Sequence, residues 1–345
     1  MYILGLESSC DESAAAVLEI KQHKLKILSN IIASQINIHA RYGGVIPEIA
    51  AREHVLNILP SIEQALQEAN LSPQKLHAIA VTQGPGLVSS LLAAIESSKA
   101  LSAVWQIPII PVNHIIGHIY AAFIDLKQSP KFPIISLIVS GGHTNLILMK
   151  EHYNFKIIGE TRDDAAGEAY DKTAKMLGLS YPGGPIIAQY AQKFRDSHKK
   201  YDIELPRPMI HSKDFDFSFS GLKTALLYKL QKDKNWKKRI PEYCFAVESA
   251  IIETLTHKSL KAIAKYQPKS FVLAGGVAAN KTLRTTLSTE ISTKFPKTKL
   301  FLPNLAYTTD NAAMIASAAY FKYYKQKDKS FLPYHKLKAD PNLSI

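Results

Sequence analysis

The chain has 345 residues, enough for about two lobes, and its 46% apolar and 21% charged content is that of a folded globular protein, not of a disordered or fibrous one. Two cysteines, Cys10 and Cys244, exclude a disulfide framework and point to a reducing compartment. The net charge of +13 falls in one half: residues 1–150 carry ten basic and ten acidic side chains, and residues 151–345 carry 32 against 19.

In chain order, residues 2–7 read as a buried strand, followed by the turn Ser8-Ser-Cys-Asp-Glu-Ser13 and a second strand at 14–20. Asp11 and Glu12 in that turn are the candidate catalytic carboxyls, placed to orient a nucleophile; turn formation or solvated charge explains them equally well. A helix at 48–70, a strand at 78–82, the Gly84-Pro-Gly86 loop, a helix at 87–105 and a short strand at 107–112 come next. The 87–105 stretch is the longest apolar one, yet Glu96 and Lys99 break it, so no membrane span is expected. The N-terminus lacks the cationic segment and long apolar core of a secretion signal, so the expected location is the cytoplasm.

His114-Ile-Ile-Gly-His118 follows, with Asn113 as a plausible N-cap. On a helix, residues four apart stand on one face, so both imidazoles can reach one ion. The pair alone reads equally well as two core histidines. A zincin protease carries a glutamate base right after its first histidine; here that position is Ile115.

The strand–turn–strand shape recurs at 134–139, Ser140-Gly-Gly-His-Thr144 and 145–149, a weak internal repeat that implies two lobes on related hairpins. Residues 164–177 read as a helix, Tyr181-Pro-Gly-Gly-Pro185 as a tight loop, and 215–220 as irregular. A long helix at 243–264 and a strand at 270–274 lead to Gly275-Gly276, which opens a helix running to about 294. A helix at 310–324 and a basic tail close the chain. Alternating strands and helices imply an α/β architecture with covered sheets. The division expected is a first lobe at 1–130 with the 310–325 helix packing back on it, a second lobe at 131–309, and a basic tail at 326–345.

Ser140-Gly141-Gly142 and Gly275-Gly276 each end an apolar strand, where missing Cβ atoms let backbone N–H groups approach an anion. The two loops together favour a nucleotide cleft, with Asn280 placed to bond a ribose hydroxyl. Asp310 reads either as a cap for the helix that follows it or as a third ligand beside His114 and His118; the latter set suits iron or zinc. Basic clusters at 193–200, 232–239, 294–299 and 322–338, with Trp236, Tyr323, Tyr324 and Tyr334 among them, form a footprint for a polyanion such as RNA or, equally, ordinary solvated faces.

Taken together, eight motifs in order carry a resemblance over roughly residues 2–320. They are Glu7-Ser-Ser-Cys-Asp-Glu12, His114-Ile-Ile-Gly-His118, Val139-Ser-Gly-Gly-His143, Asp164-Ala-Ala-Gly-Glu-Ala-Tyr-Asp-Lys172, Tyr181-Pro-Gly-Gly-Pro185, Phe217-Ser-Phe-Ser-Gly-Leu-Lys223, Ala274-Gly-Gly-Val-Ala-Ala-Asn280 and Thr309-Asp-Asn311. The chain resembles the tRNA threonylcarbamoyladenosine transferase family (TsaD in bacteria, once called O-sialoglycoprotein endopeptidase). The resemblance implies a two-lobed fold of the actin, Hsp70 and sugar-kinase type around a nucleotide cleft. It implies transfer of a threonylcarbamoyl group from threonylcarbamoyl-AMP to the adenosine beside the tRNA anticodon. By motif, His114, His118 and Asp310 would bind one divalent metal, Fe(II) or zinc. Ile138, Val139, Ser140, Gly141, Gly142, Asp171, Gly184 and Asn280 would hold the adenylate. Expected partners are tRNA, a paralogous subunit lacking the site (TsaB-like) and a small ATPase (TsaE-like).

Two positions depart from the family pattern: Ser180 where many relatives have an acid, and Ala312 where glycine is usual. Three other readings compete. A kinase or ATPase of the same superfold does not require the histidine pair, a metalloprotease would need the missing glutamate, and a non-catalytic scaffold has no need of metal ligands.

Overall fold

The structure is a computed structural model and describes residues 1–126, 128–198 and 200–345. The first lobe contains strands β1 (Tyr2–Glu7), β2 (Glu12–Lys21), β3 (Lys24–Ser34), β4 (Ala78–Gly84) and β5 (Ile109–Asn113). Its helices are α1 (Ile36–His39), α2 (Pro47–Glu68), α3 (Val88–Trp105) and α4 (His114–Ala121). The second lobe contains β6 (Ile134–Val139), β7 (Thr144–Glu151), β8 (Asn154–Glu160), β9 (Ser270–Ala274) and β10 (Lys299–Phe301), with helices α5 (Ala166–Met176), α6 (Gly183–Asp196), α7 (Ser220–Lys232), α8 (Ile240–Tyr266) and α9 (Lys281–Lys294). A last helix, α10 (Ala312–Gln326), returns to the first lobe and packs on α4, β1 and β2.

The two sheets have one topology. The order β3-β2-β1-β4-β5 in the first is matched by β8-β7-β6-β9-β10 in the second, each an antiparallel meander extended by two parallel strands. The recurring hairpins of the sequence are therefore equivalent elements. Strands β3, β8 and β10 and helices α6 and α7 were not anticipated. The 181–185 loop opens α6, and the irregular 215–220 stretch runs into α7, with Phe217 bridged to Thr161 beside the end of β8.

Three apolar cores follow from the period-2 alternation of strands buried on both faces. Leu4, Leu6, Ala15 and Val17 face α2 and α3; Ile3, Ala14, Ala16 and Leu18 face the opposite way, toward α10. That second core also takes in Ile138, Ile147, Val272 and Ala274 of the other sheet, so α4 and α10 lie in apolar core shared by the lobes. The third lies between the second sheet and α5–α9. Residues 326–345 lie along the first lobe: Leu332 N–H donates to Ile109 O at 2.9 Å, Leu337 is buried, and Asn113 Nδ2 donates to Leu343 O at 3.1 Å.

Two glycines set how near α10 comes. A Cβ on Gly117, between the two histidines, would sit 2.8 Å from Ile315 Cδ1, and one on Gly5 would collide with Ala312 O. Small residues on the helix itself (Ala312, Ala313, Ala316) complete the close approach. The loop before α10 is thereby pressed against the start of α4.

Candidate metal centre and adjoining cleft

Strand β5 ends at Asn113, whose side chain caps α4 by accepting from Ile115 N at 2.9 Å and Ile116 N at 3.3 Å. His114 and His118 then stand one turn apart, ring centroids 4.7 Å from each other, and both are buried. The third member arrives from the far end of the chain. Asn311, not Asp310, caps α10, accepting from Met314 N at 3.0 Å, which leaves the Asp310 carboxylate free. Its Oδ1 lies 3.2 Å from His118 Nε2 and 3.6 Å from His114 Nε2. One donor atom from each residue lies within 4.8 Å of the others, so the group could hold a metal ion.

The donors fit that role. His118 is fully buried, yet neither ring nitrogen makes a hydrogen bond; Nε2 is close to Asp310 without the geometry of a donor. A buried imidazole without a partner is costly, and a shared ion satisfies it. His114 shows the outer-shell pattern of a ligand histidine: Nδ1 is 3.0 Å from Glu7 Oε2, which leaves Nε2 free to coordinate. Glu7 is fully buried and further held by Thr82 Oγ1 at 2.7 Å and Ser9 N–H at 2.6 Å.

The electrostatics agree. Burial opposes charge on His114, but Asp310 and Glu7 overcome it and lift the ring to about 9. Burial likewise opposes ionisation of Asp310, and His114 and His118 nevertheless hold the carboxyl far below its usual range. Two carboxylates thus converge where a cation is favoured. His143, which sequence reasoning passed over, faces the same cluster: burial, then His114 and His118, push it down to about 4. Glu12 is pushed well up by burial, then by Asp11 and Asp310, so this acid of the first turn lies within the field of the centre.

The glycine loops gather on the second lobe. Gly275 packs on the Val139 carbonyl and Gly167 on Ser140 and Gly141, joining the β6–β7 turn, the end of β9 and the start of α5. Gly141, Gly142 and Gly276 have open space where a Cβ would point. Asp171 accepts from Gly183 N at 2.7 Å, fixing the start of α6 beside Gly184. Ile138 and Val139 are fully buried core residues, so only their backbone can face a ligand. Asn280 is largely engaged: Oδ1 caps α9 by accepting from Leu283 N at 2.9 Å, and Nδ2 donates to Glu248 at 2.8 Å. Burial, then Asp11 of the first lobe and Asp171 of the second, push the Tyr181 hydroxyl up.

The basic stretches are partly neutralised. Arg239 is held by Asp202, Asp233 and Glu242, and Lys325 by Glu151. Lys199, in the 193–200 cluster, lies outside the described residues. Among the described residues no helix is long and apolar enough to cross a membrane.

Two like sheets flanked by helices, with the same strand order and a shared apolar core, define a two-lobed α/β protein of the actin, Hsp70 and sugar-kinase type. The fold matches HypF from T. kodakarensis with a TM-score of 0.61 at 12% identity, over 94% of this chain and 48% of that one. The profile of the TsaD family, tRNA N6-adenosine threonylcarbamoyltransferase, matches residues 26–317. Relatives of that name from Anoxybacillus flavithermus and Geobacillus kaustophilus are 46% and 45% identical over 100% of this chain and 97% of theirs. The chain belongs to the tRNA N6-adenosine threonylcarbamoyltransferase family and is a transferase.

Proposed function

We propose that this protein transfers a threonylcarbamoyl group from threonylcarbamoyl-AMP to the exocyclic amine of the adenosine beside the anticodon of tRNA, at a metal held by His114, His118 and Asp310. The observation that carries the reading is the convergence of those donors, with His118 otherwise unpartnered, next to glycine loops open to a ligand. Two nitrogens and one oxygen with positions left over suit Fe(II) or zinc. Bound there, the ion supplies a Lewis acid for an oxygen of the donor.

The chain's own groups do the rest. Backbone N–H groups of Gly141, Gly142 and Gly276 receive the adenylate phosphate, with Ser140, whose own N–H donates to His143 O at 2.8 Å, the backbone of Ile138 and Val139 and the Asp171–Gly184 corner alongside. Asn280 contributes through its position, since its side chain serves the α9 cap and Glu248. Asp11 receives the proton that the amine loses as it attacks the carbonyl and AMP departs; Glu12, whose carboxyl burial and Asp11 push up, stands beside it. The working units in this reading are residues 1–130 with 310–325, residues 131–309, and the tail 326–345.

The reading places the protein in the cytoplasm with a paralogous TsaB-like subunit and a small TsaE-like ATPase. The apolar side chains that α2 and α3 expose (Val55, Leu56, Leu59, Val88 and Leu92) are the face we assign to the paralogue. The basic second half draws in the tRNA. The test is transfer of labelled threonylcarbamoyl to tRNA by the purified protein with its partners. Transfer that survives in His118→Ala with no metal bound would sink the metal reading, and no transfer by the wild type would sink the assignment of the reaction.

A further inference from the structure

Helix α2 buries a stripe of Ala50, His54, Ile58, Ile62 and Ala65 against the first sheet. Two of the residues buried on that helix are polar, the small Ser61 and the larger His54. His54 is fully buried, and its two ring nitrogens reach the two sides of a single turn: Nε2 lies 3.0 Å from Cys10 O and Nδ1 lies 2.7 Å from Ser13 Oγ. A carbonyl can only accept, so Nε2 carries the proton and Nδ1 accepts from the Ser13 hydroxyl. Between Cys10 and Ser13 stand only Asp11 and Glu12. The same turn is held elsewhere as well: Ser90 Oγ donates to Cys10 O at 3.2 Å, Gln35 N–H donates to Asp11 O at 3.1 Å, Ser9 N–H donates to Glu7 Oε1 at 2.6 Å, and Ser9 Oγ lies 3.1 Å from His114 Nδ1. A buried stripe position is normally apolar, and a polar ring there is retained at a desolvation cost unless both its bonds are made.

We infer that His54 is a positioning residue for the transfer reaction: its ring clamps the turn on both sides of Asp11 and Glu12 and fixes where those carboxyls stand relative to His114, His118 and Asp310. The inference rests on the proposed role of the two acids, and it goes beyond that role in naming what holds them. Carboxyls on a loose turn would sample many directions, and misplacement by about 1 Å costs up to about a hundredfold in rate.

The test uses the full chain with its partners, in steady-state transfer of threonylcarbamoyl to tRNA. His54→Ala should lower kcat by about tenfold or more, with KM for the donor and the metal content unchanged within about twofold. His54→Gln should recover much of the loss, because its amide can donate to Cys10 O and accept from Ser13. Ser13→Ala should lose less, and should add little to the loss of His54→Ala. Should His54→Ala not fold, Ser13→Ala and His54→Gln carry the test with the same readouts. Hydrogen exchange reads the clamp without any activity: amides of residues 8–13 should exchange faster in His54→Ala while those of 114–121 do not. Wild-type kcat in His54→Ala, a kcat loss that merely tracks metal loss, or unchanged exchange at 8–13 would each overturn the inference. If the wild type transfers nothing while exchange at 8–13 rises in the variant, the clamp stands and the assigned reaction fails.

Discussion

The two hairpin turns that occupy equivalent places in the two sheets have opposite characters. From the end of β1 into the start of β2, residues 8–13 are mostly buried, carry Asp11 and Glu12, and are bonded by His54, Ser90 and Gln35. Between β6 and β7, Gly141 and Gly142 are exposed, with nothing where a Cβ would point. One topology therefore yields a rigid, charged turn on one lobe and an open, backbone-rich one on the other. The proposed reaction on a charged mixed anhydride would use both kinds of wall: fixed side chains at the reacting carbon and accessible N–H groups at the phosphate.

Removing a proposed metal ligand from the rigid side should have the largest effect. His118→Ala is expected to lose most bound metal, read by elemental analysis, and to cut transfer by more than about a hundredfold. On the open side, Gly142→Val should leave the melting temperature unchanged, since its Cβ meets nothing, while raising the KM for the donor by roughly tenfold or more. Equal destabilisation at the two turns would erase the contrast. Glu7→Gln keeps the shape but weakens the acceptor for the His114 ring, and should lower metal affinity by about ten- to a hundredfold in a titration.

The smallest effect expected is on stability. The carboxyl of Glu12 is raised in the fold, so the native state holds more protons than the unfolded chain between the ordinary glutamate value and the raised one. Stability is then lost as pH rises through that window and regained as pH falls. Glu12→Gln should accordingly melt about 2 °C or more above the wild type at neutral pH, and the gain should vanish near pH 4. A variant less stable than the wild type at pH 7 would show that the turn is not strained by its charge.

How far the sequence carried depended on whether the signal was local. The i,i+4 histidines, the Asn113 cap and the apolar strands β1 and β6 were legible because each is defined within a few residues. Strands β3 and β8 were missed because their faces mix Lys and Asn with apolar residues at partly exposed positions. Helix α6 hid behind the Tyr181-Pro-Gly-Gly-Pro185 loop, although Ile187, Ala191 and Phe194 at helical spacing were a usable signal. Asn280 was placed on a ribose because nothing in the sequence announces Glu248 as its partner. His54 gave one clue, a polar residue on an apolar stripe, but its partners lie 41 and 44 residues away.

The amino-acid order alone settled that this chain makes an α/β protein with paired strand–turn–strand units, two imidazoles on one helical face, and small-residue loops at strand ends. Periodicity, capping and missing Cβ atoms are properties of short segments. It took the folded molecule to choose between Asp310 as helix cap and Asp310 as partner of the histidines, because Asn311 takes the cap and the gaps at Gly5 and Gly117 admit α10 close to α4. Which distant carboxylate meets which imidazole is a matter of packing between elements far apart in the chain, and side-chain volume decides it.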